Sequence, residues 1–465
     1  MTWKYPAERR GGQATEPLGG KIMRTSSLEV ISTKQQRIAK LAKEAPDMVF
    51  TTLEHHIDLD WLYTAYRETR KDGAVGIDGQ TAKEYEANLM ENLRSLLNRA
   101  KSGTYYAPPV KRVYIPKVDG SQRPLGIPAF EDKVLQKAVV MLLEPIYEQD
   151  FYNCSYGFRP KRSAHQALEA GWKKLMDVGG GWVLELDIKK YFDTIDHGKL
   201  REVLSRRVRD GVIVRLIGKW LNAGVMEKGE LSYPKAGTPQ GGVVSPLMAN
   251  IFLHEVLDEW FEKEVKPRMK GNAFLIRYAD DAVLGFECEG DARRVHEVLP
   301  KRFGKYGLTL HPEKTRLMDF RKHRGKDGDK GGKPGSFDFL GFTHYWAKSL
   351  KENWVIKRKT AANRFRKAVT ELKEWCRLNR HMPIDEQQQI LTRKLRGYYG
   401  YYGITGNYRG ISKFCDEVKR LWRKWVGRRS QRSRLNWAQF GKMLKQFALP
   451  PPICVHSIYH RAVNL

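Results

Sequence analysis

The stretch that most constrains the fold is FLIRYADDAVLGF, at residues 274–286. Apolar, strand-favouring runs flank Tyr278, Ala279, Asp280 and Asp281, a pattern that predicts a β-hairpin with two adjacent carboxylates at its tight turn. Successive strand residues face opposite ways, so only one of the two aspartates can point squarely at an ion bound over the sheet. Aspartate is also common in turns for backbone reasons, and taken alone the stretch favours that simpler interpretation.

A second acidic position lies in GWVLELDIKKYFDTIDH, residues 181–197. Apolar residues alternate with others over residues 183–188, which predicts a strand that buries one side and presents Asp187 at its C-terminal end. A carboxylate at such an edge is costly unless it is paired or bound to a metal. If this strand lies beside the hairpin, Asp187 and Asp280 would hold two Mg²⁺ ions about 4 Å apart, the arrangement used for nucleotidyl transfer.

The charge of the chain indicates a polyanionic partner. There are 83 lysines and arginines against 53 aspartates and glutamates, a net charge of +30. Residues 348–434 alone hold 24 basic and 7 acidic residues, so the excess is concentrated in one segment. A localised basic face favours nucleic-acid binding over mere solubility.

Cysteine usage and hydropathy predict where the protein works. The five cysteines are scattered without a C-x-x-C pair, which predicts reduced thiols, no zinc site and a cytoplasmic protein. No apolar run reaches the length that spans a bilayer, so we expect no membrane partner.

Turn and capping signals divide the chain into elements. Residues 1–48 lack lasting periodicity and predict a flexible basic arm. Two strands joined around Asp119 and Gly120 form a predicted hairpin. Ser163 and Gln166 fit a capping box. Further predictions are a helix over 130–147, a glycine-rich loop over 237–242, a helix with Ser245 at its N-cap and Pro246 first in the helix that runs to Val265, and a mobile insertion over 321–336.

The basic segment has helical periodicity. Apolar residues recur on one face and predict a helical core: Phe414, Val418, Leu421, Trp422 and Trp425. The opposite face would contact phosphates through Lys413, Lys419, Arg420, Arg423, Lys424, Arg428 and Arg429. The tract GYYGYYGITGNYRG, residues 397–410, could either stack on RNA bases or pack between helices.

Seven motifs, in their order along the chain, resemble a reverse transcriptase of the group II intron-encoded kind. They are VKRVYIPKVDGSQRPLGIP, SYGFRPKRSAHQAL, DIKKYFDTIDH, GTPQGGVVSPLMANIFL, RYADDAVLGF, LTLHPEKTRL and FDFLGF. The resemblance extends from about residue 52 to residue 346, and RKLRGYYGYYGITGN is similar to the thumb and maturase region of the same family. It implies an α+β, right-hand polymerase of fingers, palm and thumb, with an antiparallel palm sheet and a basic α-helical thumb/maturase region. The implied domains are the arm at 1–48, fingers and palm at 49–346, and thumb/maturase at 347–465.

The resemblance also implies roles for individual residues. Asp187, Asp280 and Asp281 would be the catalytic metal ligands for two Mg²⁺ ions. The side chain of Phe192 would clash with a ribose 2′-hydroxyl and select deoxynucleotides. Other expected nucleotide or template contacts are Lys117, Arg123, Gln240 and Lys314. Expected RNA contacts are Arg396, Tyr398, Tyr399, Arg420, Arg423, Lys424, Arg428 and Arg429.

The expected activity is RNA-directed DNA synthesis on a group II intron RNA, with assistance to splicing. The implied partners are that RNA, a template–primer, deoxynucleoside triphosphates and a DNA target. The family's C-terminal Cys/His endonuclease motif is missing after PPPICVHSIYH, so mobility is expected to use another nick or primer. Two alternatives remain: a defence- or CRISPR-associated reverse transcriptase, and a splicing maturase that makes little use of its polymerase site.

Overall fold

A computed structural model of the protein describes residues 21–116, 122–227, 229–233, 236–237, 241–322, 335–349, 351–430 and 435–456. The helices are α1 (Lys21–Glu44), α2 (Leu59–Glu68), α3 (Ala82–Ala87), α4 (Leu89–Ser102), α5 (Phe130–Asp150), α6 (Ala164–Asp177), α7 (Tyr191–Thr194), α8 (His197–Ser205), α9 (Gly211–Leu221), α10 (Ser245–Leu253), α11 (Glu289–Lys305), α12 (Ala362–Leu378), α13 (Ile384–Tyr402), α14 (Tyr408–Val426) and α15 (Trp437–Gln446). The strands are β1 (Val110–Pro116), β2 (Gln122–Ile127), β3 (Trp182–Leu186), β4 (Val225–Glu227), β5 (Glu230–Ser232), β6 (Ala273–Tyr278), β7 (Asp281–Phe286), β8 (Arg316–Asp319), β9 (Ser336–Phe339), β10 (Phe342–Lys348) and β11 (Trp354–Thr360).

The chain forms two compact units. The first takes its residues from Met1–Pro108, Pro128–Asp150 and Arg206–Trp220, and the described part of it is helical. Helix α5 is its centre, because α1 and α2 both pack on it. The indole of Trp61 is fully buried, and its Nε1 donates a hydrogen bond to the Ala138 carbonyl oxygen, 3.0 Å away.

Helix α1 differs from the flexible arm that the sequence predicts over residues 1–48. Ile31, Ile38 and Ala42 lie on one face of it and are buried. Gln35 Nε2 donates to the Met141 carbonyl oxygen of α5 at 2.9 Å. The spacing of seven and four residues is helical, but polar residues between these positions hide it in the sequence.

The second unit takes its residues from Pro109–Ile127, Phe151–Ser205 and Leu221–Leu465. Its central sheet has the strand order β6-β7-β3-β8, with every neighbouring pair antiparallel. Two further sheets have the orders β2-β1-β4-β5 and β11-β10-β9. One continuous apolar core joins the central sheet to the C-terminal helices through residues such as Phe320, Phe342 and Trp422. The predicted α+β class with an antiparallel palm sheet is confirmed.

The structure agrees with two of the local predictions and corrects a third. Strands β1 and β2 pair as a hairpin, although its predicted turn at Asp119 and Gly120 lies outside the described residues. The capping box of Ser163 and Gln166 is present. Ser245 is the first helical residue and not the N-cap, because the helix begins one position earlier than predicted.

The long helix that follows does reach residue 265, but with a wider turn. After α10 the backbone continues as π-helix over His254–Glu259 and again over Phe261–Val265. Of the predicted insertion at 321–336, residues 323–334 lie outside the described part of the chain.

The segment after α15 lies along α13. Gln388 Nε2 donates to the Ala448 carbonyl oxygen at 2.6 Å, and the Tyr399 hydroxyl donates to that of Pro450 at 3.3 Å. The His456 amide donates to the Gly403 carbonyl oxygen at 2.9 Å. A Cβ on Gly403 would stand 2.6 Å from the Ile453 carbonyl oxygen, so only glycine permits this close approach.

None of the helices in the described part of the chain is both long and apolar enough to cross a bilayer. Cys154, Cys288, Cys376, Cys415 and Cys454 are all free thiols.

Candidate active site

The register of the central sheet brings the predicted acidic residues together. In β6 and β7 Tyr278 pairs with Asp281, so Ala279 and Asp280 form a two-residue turn. In β3 and β7 the last pair is Leu186 with Ala282, and continuing that register by one position places Asp187 opposite Asp281. The two strands therefore lie side by side, as the convergence of the carboxylates requires.

The turn is held against a neighbouring loop. Ala279 has φ +57°, in the left-handed region that non-glycine residues seldom adopt. Gly157, from the SYGF motif, packs directly on it: a Cβ at Gly157 would stand 2.3 Å from the Ala279 amide nitrogen. The Tyr156 amide donates to the Arg277 carbonyl oxygen at 2.9 Å, so the loop also pairs with β6.

The backbone of Asp187 is fixed by the segment that follows α11. The His311 amide donates to the Asp187 carbonyl oxygen at 2.8 Å. The Asp187 amide in turn donates to Thr315 Oγ1 at 3.4 Å. Lys314 Nζ lies 3.4 Å from Asp187 Oδ2, so the lysine expected near the triphosphate lies beside one of the carboxylates predicted to bind metal.

The surroundings of the turn raise the pKa values of both of its carboxyl groups. Desolvation raises the pKa of Asp280, the negative charge of Asp187 raises it further, and Arg123 and Arg277 oppose both effects. Asp281 is an exposed residue, but protein atoms displace water around its carboxyl group and this raises its pKa to about 7. The charges of Asp280 and Asp187 add to that increase.

These carboxylates fit a hard divalent cation by their chemistry. Among the described residues no group of three or more acidic, histidine or cysteine side chains could hold an ion unaided. Mg²⁺ does not require such a cage, because it is commonly bound through one or two carboxylates, water and substrate phosphates. Desolvation is the main cause of both raised pKa values, and the negative charge of Asp187 that adds to it is the kind of repulsion that a bound cation relieves.

The structure describes some of the residues that are expected to contact the nucleotide and leaves others undescribed. Phe192 lies on α7, 8% exposed, with its ring edge-on to that of Tyr191 at 5.3 Å between centroids. The Tyr191 hydroxyl donates to the Ala249 carbonyl oxygen at 2.6 Å, which fixes this pair of rings. Arg123 is exposed on β2, and its charge lowers the pKa values of both turn aspartates. Lys117 and Gln240 lie outside the described residues.

The tyrosines expected to contact RNA are buried. Tyr398 is 8% exposed and stacks on Phe414 at 3.7 Å between ring centroids, and Tyr399 is 1% exposed. For Tyr398 and Tyr399, burial favours packing between helices, because a buried ring cannot stack on a base. Tyr408 of the same tract is exposed.

The predicted basic face of α14 is partly committed to contacts within the protein. Arg423 Nη1 donates to the Leu435 carbonyl oxygen at 2.8 Å, and Arg429 donates to the Met382 carbonyl oxygen. Arg420 pairs with Glu417 at 2.8 Å. Of the cations on this predicted face, Lys413, Arg420 and Arg428 are exposed, whereas Lys419, Arg423, Lys424 and Arg429 are half-buried. Arg396 on α13, also expected to contact RNA, is exposed.

Three residues close to the turn are not predicted from the sequence. Arg277, Asp258 and Asn250 are buried, and Arg277 donates hydrogen bonds to both of the other side chains. A charged residue inside the otherwise apolar strand FLIRY is the signal that could have found them.

Comparison with known proteins finds a matching family model and several similar proteins. A family model described as reverse transcriptase (RNA-dependent DNA polymerase) matches residues 115–344. Protein YkfC of Escherichia coli K12 is 35% identical over 323 residues, 62% of this chain and 84% of that protein. The group II intron-encoded protein LtrA of Lactococcus lactis is 40% identical over 223 residues, 48% of this chain and 37% of LtrA. Among solved structures, Candida albicans telomerase with a telomeric RNA fragment aligns over 79% of this chain and 66% of its own at a TM-score of 0.40 and 15% identity, too distant a likeness to carry an argument.

Proposed function

Since this chain belongs to the reverse transcriptase family, with group II intron-encoded proteins among its relatives, we propose that it copies a group II intron RNA into DNA by two-metal nucleotidyl transfer and assists the splicing of that RNA. The chain is an RNA-directed DNA polymerase, and enzymes of its family use divalent metal ions. The observation that carries the proposal is the alignment of Asp187 with the turn of Asp280 and Asp281.

Asp187 and Asp280 would hold two Mg²⁺ ions, with Asp281 beside them. Such ions, when bound, activate a primer 3′-hydroxyl and stabilise the charge of the triphosphate. The protein's own part is to fix the ligands: β3 and the segment around Thr315 hold Asp187, while β6 and β7 hold the turn. Lys314 and Arg123 supply positive charge for the triphosphate at the same place.

The proposed RNA partner is bound through phosphates on the basic C-terminal helices. Exposed cations such as Arg396 and Arg428 are available for that contact, whereas Arg423 and Arg429 stabilise the helices themselves. RNA shape and unpaired loops would supply the specificity.

The polymerase proposal is tested by primer extension on an RNA template with the substitution Asp280→Asn. We expect incorporation of deoxynucleotides to fall by a factor of about 10³ or more, because removing a metal ligand sacrifices several kcal/mol of transition-state stabilisation. Asp319→Asn is the matched control, since that carboxylate lies on β8 of the same sheet and pairs with Arg321. Equal incorporation by wild type and Asp280→Asn would contradict the assignment.

The intron partner is tested separately. If the DNA that flanks the gene folds into a group II intron, the protein should bind that RNA and speed its splicing in vitro. A flanking sequence without such a fold, or splicing that the protein leaves unchanged, would refute the maturase part and leave the polymerase standing. A defence-associated reverse transcriptase would give that second result.

A further inference from the structure

Arg277 is the arginine of the RYADD motif and is wholly buried in an otherwise apolar strand, β6. A buried guanidinium is expensive unless every donor finds an acceptor. Its Nε donates to Asp258 Oδ1 at 2.7 Å, and its Nη2 donates to Asp258 Oδ2 at 2.5 Å. The Asp258 side chain is also fully buried, so the two charges neutralise one another out of contact with water.

The Nη1 nitrogen of Arg277 connects the pair to the turn and to α10. Its Nη1 donates to the Ala279 carbonyl oxygen at 3.0 Å and to Asn250 Oδ1 at 2.9 Å. Asn250 Nδ2 donates to the Gly157 carbonyl oxygen at 2.7 Å, and Gly157 is the residue packed on the Ala279 amide. The left-handed Ala279 is therefore held on its carbonyl side by the arginine and on its amide side by the loop that Asn250 anchors.

The helix that carries Asp258 is widened at that residue. Asp258 lies within the π-helical stretch His254–Glu259, immediately after α10, which carries Asn250. Single π-turns inside α-helices are frequent at functional sites, where they redirect a side chain. Here one continuous helical segment supplies both side chains that accept from the guanidinium, Asp258 and Asn250.

Stability alone does not account for this network. Replacing a buried ion pair by apolar residues of similar volume is often neutral or stabilising, so an apolar pair would serve the core equally well. An apolar pair could not hold the Ala279 carbonyl oxygen or the loop at Gly157.

We propose that Arg277, with Asp258 and Asn250, is a positioning residue that fixes the turn bearing Asp280 and Asp281 in its ion-binding geometry. This inference rests on the proposed two-metal function. Loosening the network should weaken divalent-ion binding and lower kcat, while the KM for the deoxynucleotide changes little. Mutating a residue that orients metal ligands typically lowers metal affinity or activity about 10- to 100-fold. We expect a loss of that size in both divalent-ion affinity and kcat.

The test uses the double variant Arg277→Met/Asp258→Leu in the full chain, which removes both charges and leaves neither one unpaired. Mn²⁺ binding is measured by electron paramagnetic resonance on the protein alone, together with kcat, KM and the melting temperature. We expect a folded protein with Mn²⁺ affinity and kcat each about 10- to 100-fold lower. Wild-type affinity and kcat in the folded double variant would overturn the inference.

The matched control is Arg207→Met/Asp150→Leu. That pair is also bidentate, with distances of 2.8 and 3.0 Å, and its arginine is buried while Asp150 is half-buried, but it belongs to the first unit. It should change the melting temperature and leave Mn²⁺ affinity at the wild-type value; an equal loss of affinity in the control would show a general effect of stability and overturn the inference.

A single variant covers the case in which the double variant does not fold. Arg277→Lys keeps the charge beside Asp258 but lacks the planar fork that reaches Asn250 and Ala279 together. It should lose Mn²⁺ affinity in the same direction, and a folded lysine variant with wild-type affinity would overturn the inference. If wild type itself neither binds Mn²⁺ nor extends a primer, the proposed function fails; if wild type does both and the network variants match it, only this inference fails.

Discussion

At the scale of single residues, Arg277 connects the turn of Asp280 and Asp281 to two buried side chains that lie 19 and 27 residues away. Asp187 and Asp280 could be predicted because each follows an apolar strand pattern. The charge of Arg277 inside an apolar strand is visible in the sequence, but its partners Asp258 and Asn250 could not be predicted because they lie on another element. Hydrophobic periodicity describes a strand's faces and carries no information about which buried charges pair across elements.

Phe192 offers a direct test of sugar selection. The substitution Phe192→Ala should reduce discrimination between deoxynucleotides and ribonucleotides at least about tenfold, because the ring would no longer exclude a 2′-hydroxyl. Steady-state incorporation of both nucleotide types on one primed RNA measures the ratio. Phe192→Tyr keeps the ring and should keep the discrimination; an unchanged ratio in the alanine variant would refute the role.

Asp132 in the first unit makes stability depend on pH. Burial raises the pKa of Asp132 to about 6, although Tyr105, Trp220 and Gln136 all donate hydrogen bonds to it. Because the folded pKa lies above the unfolded value of 3.8, the folded state binds the proton more tightly. This contribution to stability is fully present below about pH 4 and is lost as the pH rises through 6, a change of about 3 kcal/mol.

Urea unfolding of wild type and Asp132→Asn from pH 4 to pH 8 measures that dependence. The free energy of unfolding of wild type should fall relative to the variant across this range. Two curves that remain parallel would contradict the raised pKa.

At the scale of elements, the hairpin of β6 and β7 depends on a loop from a different motif. Sequence patterns predict the hairpin, its turn and the loop's capping box correctly. They do not show that Gly157 and Ala279 meet, because that contact joins elements 122 residues apart. The same holds for the basic face of α14. Helical periodicity predicts that face, but only the packed structure shows that Arg423 and Arg429 donate hydrogen bonds to backbone carbonyl oxygens within the protein.

Gly157→Ala should therefore harm catalysis more than folding. The added methyl would stand 2.3 Å from the Ala279 amide nitrogen, so the turn or the loop must shift. Such overpacking typically costs 1–3 kcal/mol, and we expect kcat to fall by roughly tenfold or more. Primer extension and thermal melting measure the two effects.

Gly171→Ala is the matched control for this experiment. It lies in α6, where an added Cβ would meet only Ile276 Cγ1 at an ordinary 3.8 Å, and alanine should raise helix stability by about 0.5–1 kcal/mol. Full activity in Gly157→Ala would show that the turn tolerates the shift.

At the scale of the whole molecule, a net charge of +30 makes affinity for RNA depend on salt. The double substitution Arg396→Gln/Arg428→Gln removes two exposed cations of the C-terminal helices. The slope of log affinity against log salt should fall by about 1 to 2, with little change in melting temperature. Arg293→Gln on α11, where Glu289 already pairs with the arginine, is the control; an equal change of slope there would show that the effect is not local.

The path of residues 448–456 along α13 has a practical consequence for anyone who wishes to shorten this enzyme. Gly403 and the Tyr399 hydroxyl are complementary to that segment, since one leaves room for its backbone and the other bonds to it. A version that stops before Pro450 would uncover the part of α13 that this segment covers, including the buried Tyr399, and exposed apolar surface of this kind favours aggregation. Minimal enzymes should therefore retain the chain through His456, and substitutions at Gly403 should be selected together with those at residues 450–455.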